Sequence, residues 1–153
     1  MAVLNSDLIY RDNKLGIRVD RDTDTIPQAT TKALFTVVGG RVAITQIIGE
    51  VTTAIQNQAN NTKLVSNPTN GTDADLCAVL NIAADEKGTL YGITGISSDD
   101  LIGVNAGALR GQTVDVIVPP GTIDLSCAAS STGAVKWTLF YYPIDVGAYV
   151  EAA

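Results

Sequence analysis

The sequence contains no histidine. Ser-His-Asp and Cys-His catalytic arrangements are therefore excluded, together with the metal sites that rest on imidazole. Only two cysteines are present, Cys77 and Cys127. They stand far apart, form no Cys-x-x-Cys pair, and with no histidine cannot build a usual zinc site. In a reducing compartment they read as small buried apolar residues rather than a disulfide. Charge is also scarce, at 17% of residues, against about 25% in an ordinary globular chain. The balance is acidic, with ten Lys and Arg against sixteen Asp and Glu, net −6. That leaves nothing like the basic patch nucleic-acid binding requires, so no nucleic-acid partner is expected. No apolar run reaches the ~18 residues of a membrane-spanning helix, so no membrane partner is expected either. The opening "MAVLNSDLIYRDNK" lacks a basic leader and an apolar signal core. Synthesis in the cytoplasm follows, and the N-x-T triplets at Asn60 and Asn70 are then chance matches.

Phosphate-binding loops are missing too. "GVNAGALRG" has neither the G-x-x-x-x-G-K-[ST] nor the G-x-G-x-x-G spacing that would point backbone amides at a phosphate. Paired carboxylates could still do acid–base work, and Asp99-Asp100 is the best such pair; adjacent acids in a Ser/Gly-rich loop are more often simply solvated. Asp20, Asp22 and Asp24 alternate in "DRDTDT", so in an extended chain they share a face, where a bound Ca²⁺ would relieve their repulsion. The sixth and twelfth loop positions are Thr25 and Thr31, not the Gly and Glu of an EF-hand, and a solvated acidic link is the preferred reading. No catalytic, cofactor-binding or metal-binding residue is assigned, and the chain is expected not to be an enzyme.

What the sequence does have is β-branched and apolar alternation. "KLGIRVD" puts Leu15, Ile17 and Val19 on one face. "KALFTVV" is a strand ended by Gly39-Gly40. Residues 44–55 carry Ile and Val at helical spacing, yet the β-branched content and Gly49 favour a long strand, bent or bulged at that glycine. "QNQANN" is then a hairpin loop with "TKLVS" returning, and Asn70-Gly71 marks another turn. "DLCAVLNIAA" and "TLYGITGI" add strands, with a short one at 101–104. In the last third, Val114, Val116 and Val118, then Ile123, Leu125 and Cys127, then Val135, Trp137, Leu139 and Tyr141 point inward. The short loops "PPG" and "SSTG" suggest an antiparallel meander. The expectation is a single all-β domain over 1–153, an antiparallel jelly roll, sandwich or small barrel of roughly eight to ten strands. An N-terminal arm covers about 1–12 and an apolar tail about 144–153. Ile17, Val116, Leu125, Trp137 and Leu139 are expected in the core.

Aromatic residues number only eight, and five of them fall within 133–153. If Trp137 and Tyr141 face inward, Phe140 and Tyr142 face outward, where a second layer or another subunit must cover them. Beyond Pro143, Val146, Tyr149 and Val150 are too apolar for a chain end left in water. Either the end packs on its own domain, or Phe140, Tyr142, Val146, Tyr149 and Val150 form self or partner contacts.

Two stretches, "IPQATTKALFTVVGGRVAITQIIGEVTTAIQNQANNTKLVSNPTNGTDADL" and "STGAVKWTLFYYPIDVGAYV", resemble small structural proteins of tailed bacteriophages, the group that includes capsid decoration (cement) proteins. The resemblance runs over most of the chain after Thr25 and carries no catalytic motif. It implies a homotrimer on the outside of the expanded head, in contact with the major capsid protein and locking neighbouring subunits together. A tail or adsorption component with a carbohydrate-binding role is the alternative, and a groove lined by exposed aromatics would support it. A carboxylate-dependent glycosidase is a more distant one.

Overall fold

A computed structural model describes residues 14–105 and 107–153; the arm expected over 1–12 lies outside the described residues. Twelve strands follow one another: β1 (Ile17–Thr25), β2 (Thr31–Val38), β3 (Val42–Thr53), β4 (Asn61–Pro68), β5 (Ala74–Asp75), β6 (Leu80–Asn81), β7 (Leu90–Gly92), β8 (Ile102–Val104), β9 (Val116–Val118), β10 (Gly121–Cys127), β11 (Ala134–Pro143) and β12 (Tyr149–Ala152). They form two six-stranded antiparallel sheets. The first runs β1-β11-β3-β7-β8, with β9 beside β7 on β3. The second runs β12-β2-β10-β4-β5, with β6 also on β4. The sheets do not close into a barrel. Ile44, Ile47, Val51 and Leu139 of the first join Phe35, Leu64, Ile123 and Leu125 of the second in one buried cluster, the core of a sandwich. The count exceeds the expected eight to ten because β5 and β6 are two residues each.

Residues 42–53 are a strand, as their β-branched content indicates. The bend expected at Gly49 is absent: the ladder to β11 passes through Gly49 in register, and its irregularities fall between Ala134 and Val135 and between Phe140 and Tyr141. Gly49 answers a packing need instead. A Cβ there would stand 2.8 Å from the ring of Trp137, which is buried and stacked on Tyr91 at 6.3 Å between centroids.

The pairing differs from the expected hairpins. β3 lies in the first sheet and β4 in the second, so "QNQANN" is a crossover between sheets. The meander is also corrected: β9 pairs with β3, β10 with β2 and β4, and β11 with β1 and β3. "PPG" and "SSTG" therefore carry the chain across the sandwich. The local signals for a hairpin loop and a crossover are the same short, Gly- and Pro-rich stretch. What separates them is contact with distant backbone. Gly121 (φ +149°) packs so closely that a Cβ would lie 2.3 Å from the Asn67 carbonyl oxygen, and Gly133 accepts from the Ile26 amide at 3.2 Å. The Asn70-Gly71 turn does join a paired β4 and β5.

Of the expected core, Trp137, Leu139 and Leu125 are buried and Val116 is partly so, but Ile17 is 51% exposed. Ile17 opens a strand that among the described residues lies at the sheet's edge, with β11 as its one neighbour. Val114 is exposed because β9 begins only at Val116. The acidic "DRDTDT" is not a link but the second half of β1, with a bulge between Arg21 and Asp24.

Candidate functional site

The connections at one end of the sandwich are 39–41 between β2 and β3, 119–120 between β9 and β10, and 144–148 between β11 and β12. The last of these is held rigidly. Arg41 donates from its backbone N to Asp145 Oδ2 at 2.8 Å, from Nε to the same oxygen at 2.9 Å, and from a terminal guanidinium nitrogen to Oδ1 at 2.7 Å. Ile144 N and Asp145 N donate back to the Arg41 carbonyl at 3.0 and 3.3 Å. The side-chain hydrogen bond from Arg41 holds the Asp145 carboxyl well below the usual carboxylate range. Gly147 (φ +83°) lets the chain turn back, and β12 then pairs with β2 from Tyr149 to Ala152.

The apolar tail thus packs on its own domain in part. Val150 is 5% exposed and belongs to the core, and Phe140 is 6% exposed. Both are used within the fold. Tyr142, Val146 and Tyr149 are not. Nine large apolar side chains are exposed among the described residues, and six lie around this end: Ile17, Ile117, Tyr142, Ile144, Val146 and Tyr149. Register joins them, since Ile17 stands opposite Tyr141, and Ile117 and Tyr142 flank Ala43 from either side. The periodicity of β11 marks Tyr142; alternation places Ile17 inside and does not single out Ile117, because the exposure of both depends on which strands end where. Tyr142 Oη donates to Asp115 Oδ2 at 3.3 Å, and that carboxylate raises the phenol's pKa. A patch of this kind, apolar and fixed on clamped turns, is suited to burial against another protein.

The other face of the first sheet carries two grooves. One, of about 800 Å³, is floored by Ile48, Leu90 and Phe140 and walled by Leu15 and Leu109. The other, of about 640 Å³, is polar, between Arg18, Asp20, Asp22, Lys136 and Thr138. The aromatics that line them, Phe140 and Trp137, are 6% and 2% exposed and offer no free ring face for a sugar to stack on.

Of Asp20, Asp22 and Asp24, the first and last are engaged by neighbouring side chains. Asp20 accepts from Arg18 Nε at 3.0 Å and Thr138 Oγ1 at 2.8 Å. Slight burial pushes its pKa up, and those hydrogen bonds outweigh it, so the net shift is downward. Asp24 binds Lys32 and Arg21, and the Lys32 contact chiefly lowers its pKa. Protein cations therefore meet the charge of Asp20 and Asp24. Asp99 accepts from Thr94 Oγ1 at 2.7 Å, while its backbone bonds Ile96 and Ala78, so it closes a turn. Cys77 and Cys127 are unpaired and buried, as read; burial raises both thiols, Cys77 to about 11. Asn60 is fully buried and its amide bonds Ala129 and Ser131. No helix among the described residues is long and apolar enough to cross a membrane.

Comparison with protein-family models, with curated proteins and with solved structures finds no match for this chain.

Proposed function

We propose that this chain is a non-enzymatic structural protein of a phage particle. In this reading it is made in the host cytoplasm, binds the outside of the head, and stabilises it by bridging copies of the major capsid protein. The observation that carries the reading is the apolar end of the sandwich: six exposed large side chains on turns fixed by the Arg41–Asp145 clamp. Preorganised turns lose little conformational freedom on binding, so more of the burial energy remains as affinity. The low, acidic charge and the sequence resemblance point the same way. Decoration by a homotrimer fits the edge of β12, which among the described residues pairs with β2 alone.

The test is to mix the purified protein with expanded heads and follow both attachment and head stability. Saturable attachment that raises the heads' melting temperature is expected, because a ligand that binds only the assembled state stabilises it by mass action. Light scattering should give three times the 15.9 kDa chain mass in solution or on the head. A protein that does not attach, or that Val146→Asp and Tyr149→Ser leave fully competent to attach, overturns the reading. No observation favours the carbohydrate-binding alternative.

A further inference from the structure

The turn between β4 and β5 is anchored at its base and loose at its tip. At the base, Thr69 N donates to the Pro120 carbonyl at 2.9 Å, and Gly121 packs against Asn67 and Pro68. At the tip, Asn70 and Gly71 are both exposed. The Asn70 side chain and the Gly71 amide make no hydrogen bond among the described residues. A Cβ at Gly71 (φ +128°) would meet only the Pro68 ring, at 3.6 Å. We propose that this tip is a site of spontaneous deamidation, in which the backbone nitrogen of Gly71 attacks the side-chain amide of Asn70.

The reaction needs a free neighbouring amide, an accessible side chain and room for the backbone to turn. Hydroxide removes the Gly71 amide proton, and the nitrogen's electron pair attacks Asn70 Cγ. A new N–Cγ bond closes a ring. The Cγ–Nδ2 bond then breaks, and ammonia leaves with a proton taken from water. The product is a succinimide, which water opens at either carbonyl. Cleavage of the Cγ–N bond gives aspartate at position 70 on an intact backbone. Cleavage of the bond at the backbone carbonyl gives isoaspartate, with the main chain rerouted through Cβ and Cγ. One water is consumed, one ammonia is released, and nothing is oxidised or reduced. Glycine suits this chemistry because it leaves the nitrogen uncrowded and lets the chain rotate toward Cγ.

The fold singles out Asn70 from the other asparagines. Asn60 is fully buried and its amide is bonded to Ala129 and Ser131. Asn67 precedes Pro68, which has no N–H to attack with, and is held by Asp124 at 3.2 Å. Asn61 and Asn81 are paired with each other in β4 and β6. Asn57 is followed by Gln58, whose amide donates to the Gln56 carbonyl at 2.8 Å. Only at Asn70 are side chain and following amide both exposed and unbonded among the described residues. Conversion adds one negative charge, taking the net from −6 to −7. The charge arises beside the 119–120 connection, at the apolar end of the sandwich. Isoaspartate also lengthens a turn that must bring Ala74 opposite Ser66.

This inference rests on the turn alone and is independent of any role in a phage particle. The test holds the folded protein at mildly alkaline pH beside the same chain unfolded in urea. Mass spectrometry then follows the tryptic peptide 64–87 and separates its asparagine, aspartate and isoaspartate forms. In the folded protein, Asn70 should convert at least about tenfold faster than any other described asparagine, the ratio that about 1.4 kcal/mol of barrier produces. Its rate should stay within about tenfold of the rate in urea, because no folded contact has to open first. Both aspartate and isoaspartate should appear, faster in proportion to hydroxide, and Asn70→Gln should remove the acidic product from the peptide. An Asn70 that stays intact in the folded protein while the unfolded chain converts would overturn the proposal. So would aspartate without isoaspartate, which would mean direct hydrolysis with no attack by Gly71.

Discussion

Trp137 shows how one side chain sets the identity of its neighbours. Its ring fills the space that a side chain at residue 49 would take, and Tyr91 backs it from the other side. Gly49→Val should destabilise the fold by about 1–3 kcal/mol, as overpacking does, and Trp137→Ala by about 3–5 kcal/mol, as a large cavity does. Urea denaturation checks both, with the tyrosines as the probe in the second case. Two carboxylates predict opposite responses to pH. Burial raises Asp85, whose Oδ2 accepts from Tyr91 Oη at 2.6 Å. Its contribution to stability is therefore present in full below the ordinary carboxyl range and is lost as pH rises through its raised native value. Asp85→Asn keeps an acceptor for Tyr91 and removes the charge. It should be at least as stable as the parent at neutral pH, and the advantage should vanish toward pH ~4. Asp145 is lowered by Arg41, so its contribution is present above the ordinary range and lost as pH falls through the native value. Asp145→Asn should cost stability at neutral pH and progressively less in acid. Denaturation across that range distinguishes the two signs.

At the scale of the element, β12 separates two jobs that the sequence places side by side. Val150 sits in the core and the strand closes one edge of β2, whereas Val146 and Tyr149 face out. Deleting 144–153 removes a buried valine worth roughly 1.5–3 kcal/mol and several ladder hydrogen bonds at about 0.5–1.5 kcal/mol each. A loss of roughly 3 kcal/mol or more is expected in thermal or chemical denaturation, so truncation damages the fold along with any binding. Val146→Asp should change stability by less than about 0.5 kcal/mol, as at other exposed sites, and reduce attachment to heads. The strand periods, the turn at Asn70-Gly71 and the outward phase of Tyr142 were legible because alternation is local. The exposure of Ile17 and Val114 was not: alternation assigns a face, but coverage of that face depends on where neighbouring strands end. The apolar groove was not legible either, since its walls come from Leu15, Ile48, Leu90 and Leu109, far apart in the chain.

For the whole molecule, nearly every pairing is distant in sequence: β1 with β11, β2 with β10 and β12, β4 with β10. Such topologies close long loops before any contact rewards them, and refolding should take milliseconds to seconds. Stopped-flow fluorescence of Trp137, the only tryptophan, checks this; completion in tens of microseconds would contradict it. The chain passes between the sheets after β1, β2, β3, β6, β9, β10 and β11, so most of its connections are crossovers. That is why the exposed apolar residues gather at one end: 39–41, 119–120 and 144–148 all arrive there.

The sequence by itself determined that the chain is all-β, that its cysteines are buried, and that it lacks imidazole chemistry. Composition and period-two alternation are properties of single segments, and they survive whatever partner a segment meets. Only the tertiary structure decided which strands pair, which loops cross between sheets, and which apolar residues remain in water. Those outcomes depend on free-energy differences between competing strand partners, and a short Gly- or Pro-containing loop is compatible with either. The close approach of Gly121 to Asn67 and the clamp of Arg41 on Asp145 exist only once strands distant in the chain, β10 with β4 and β11 with β3, have paired.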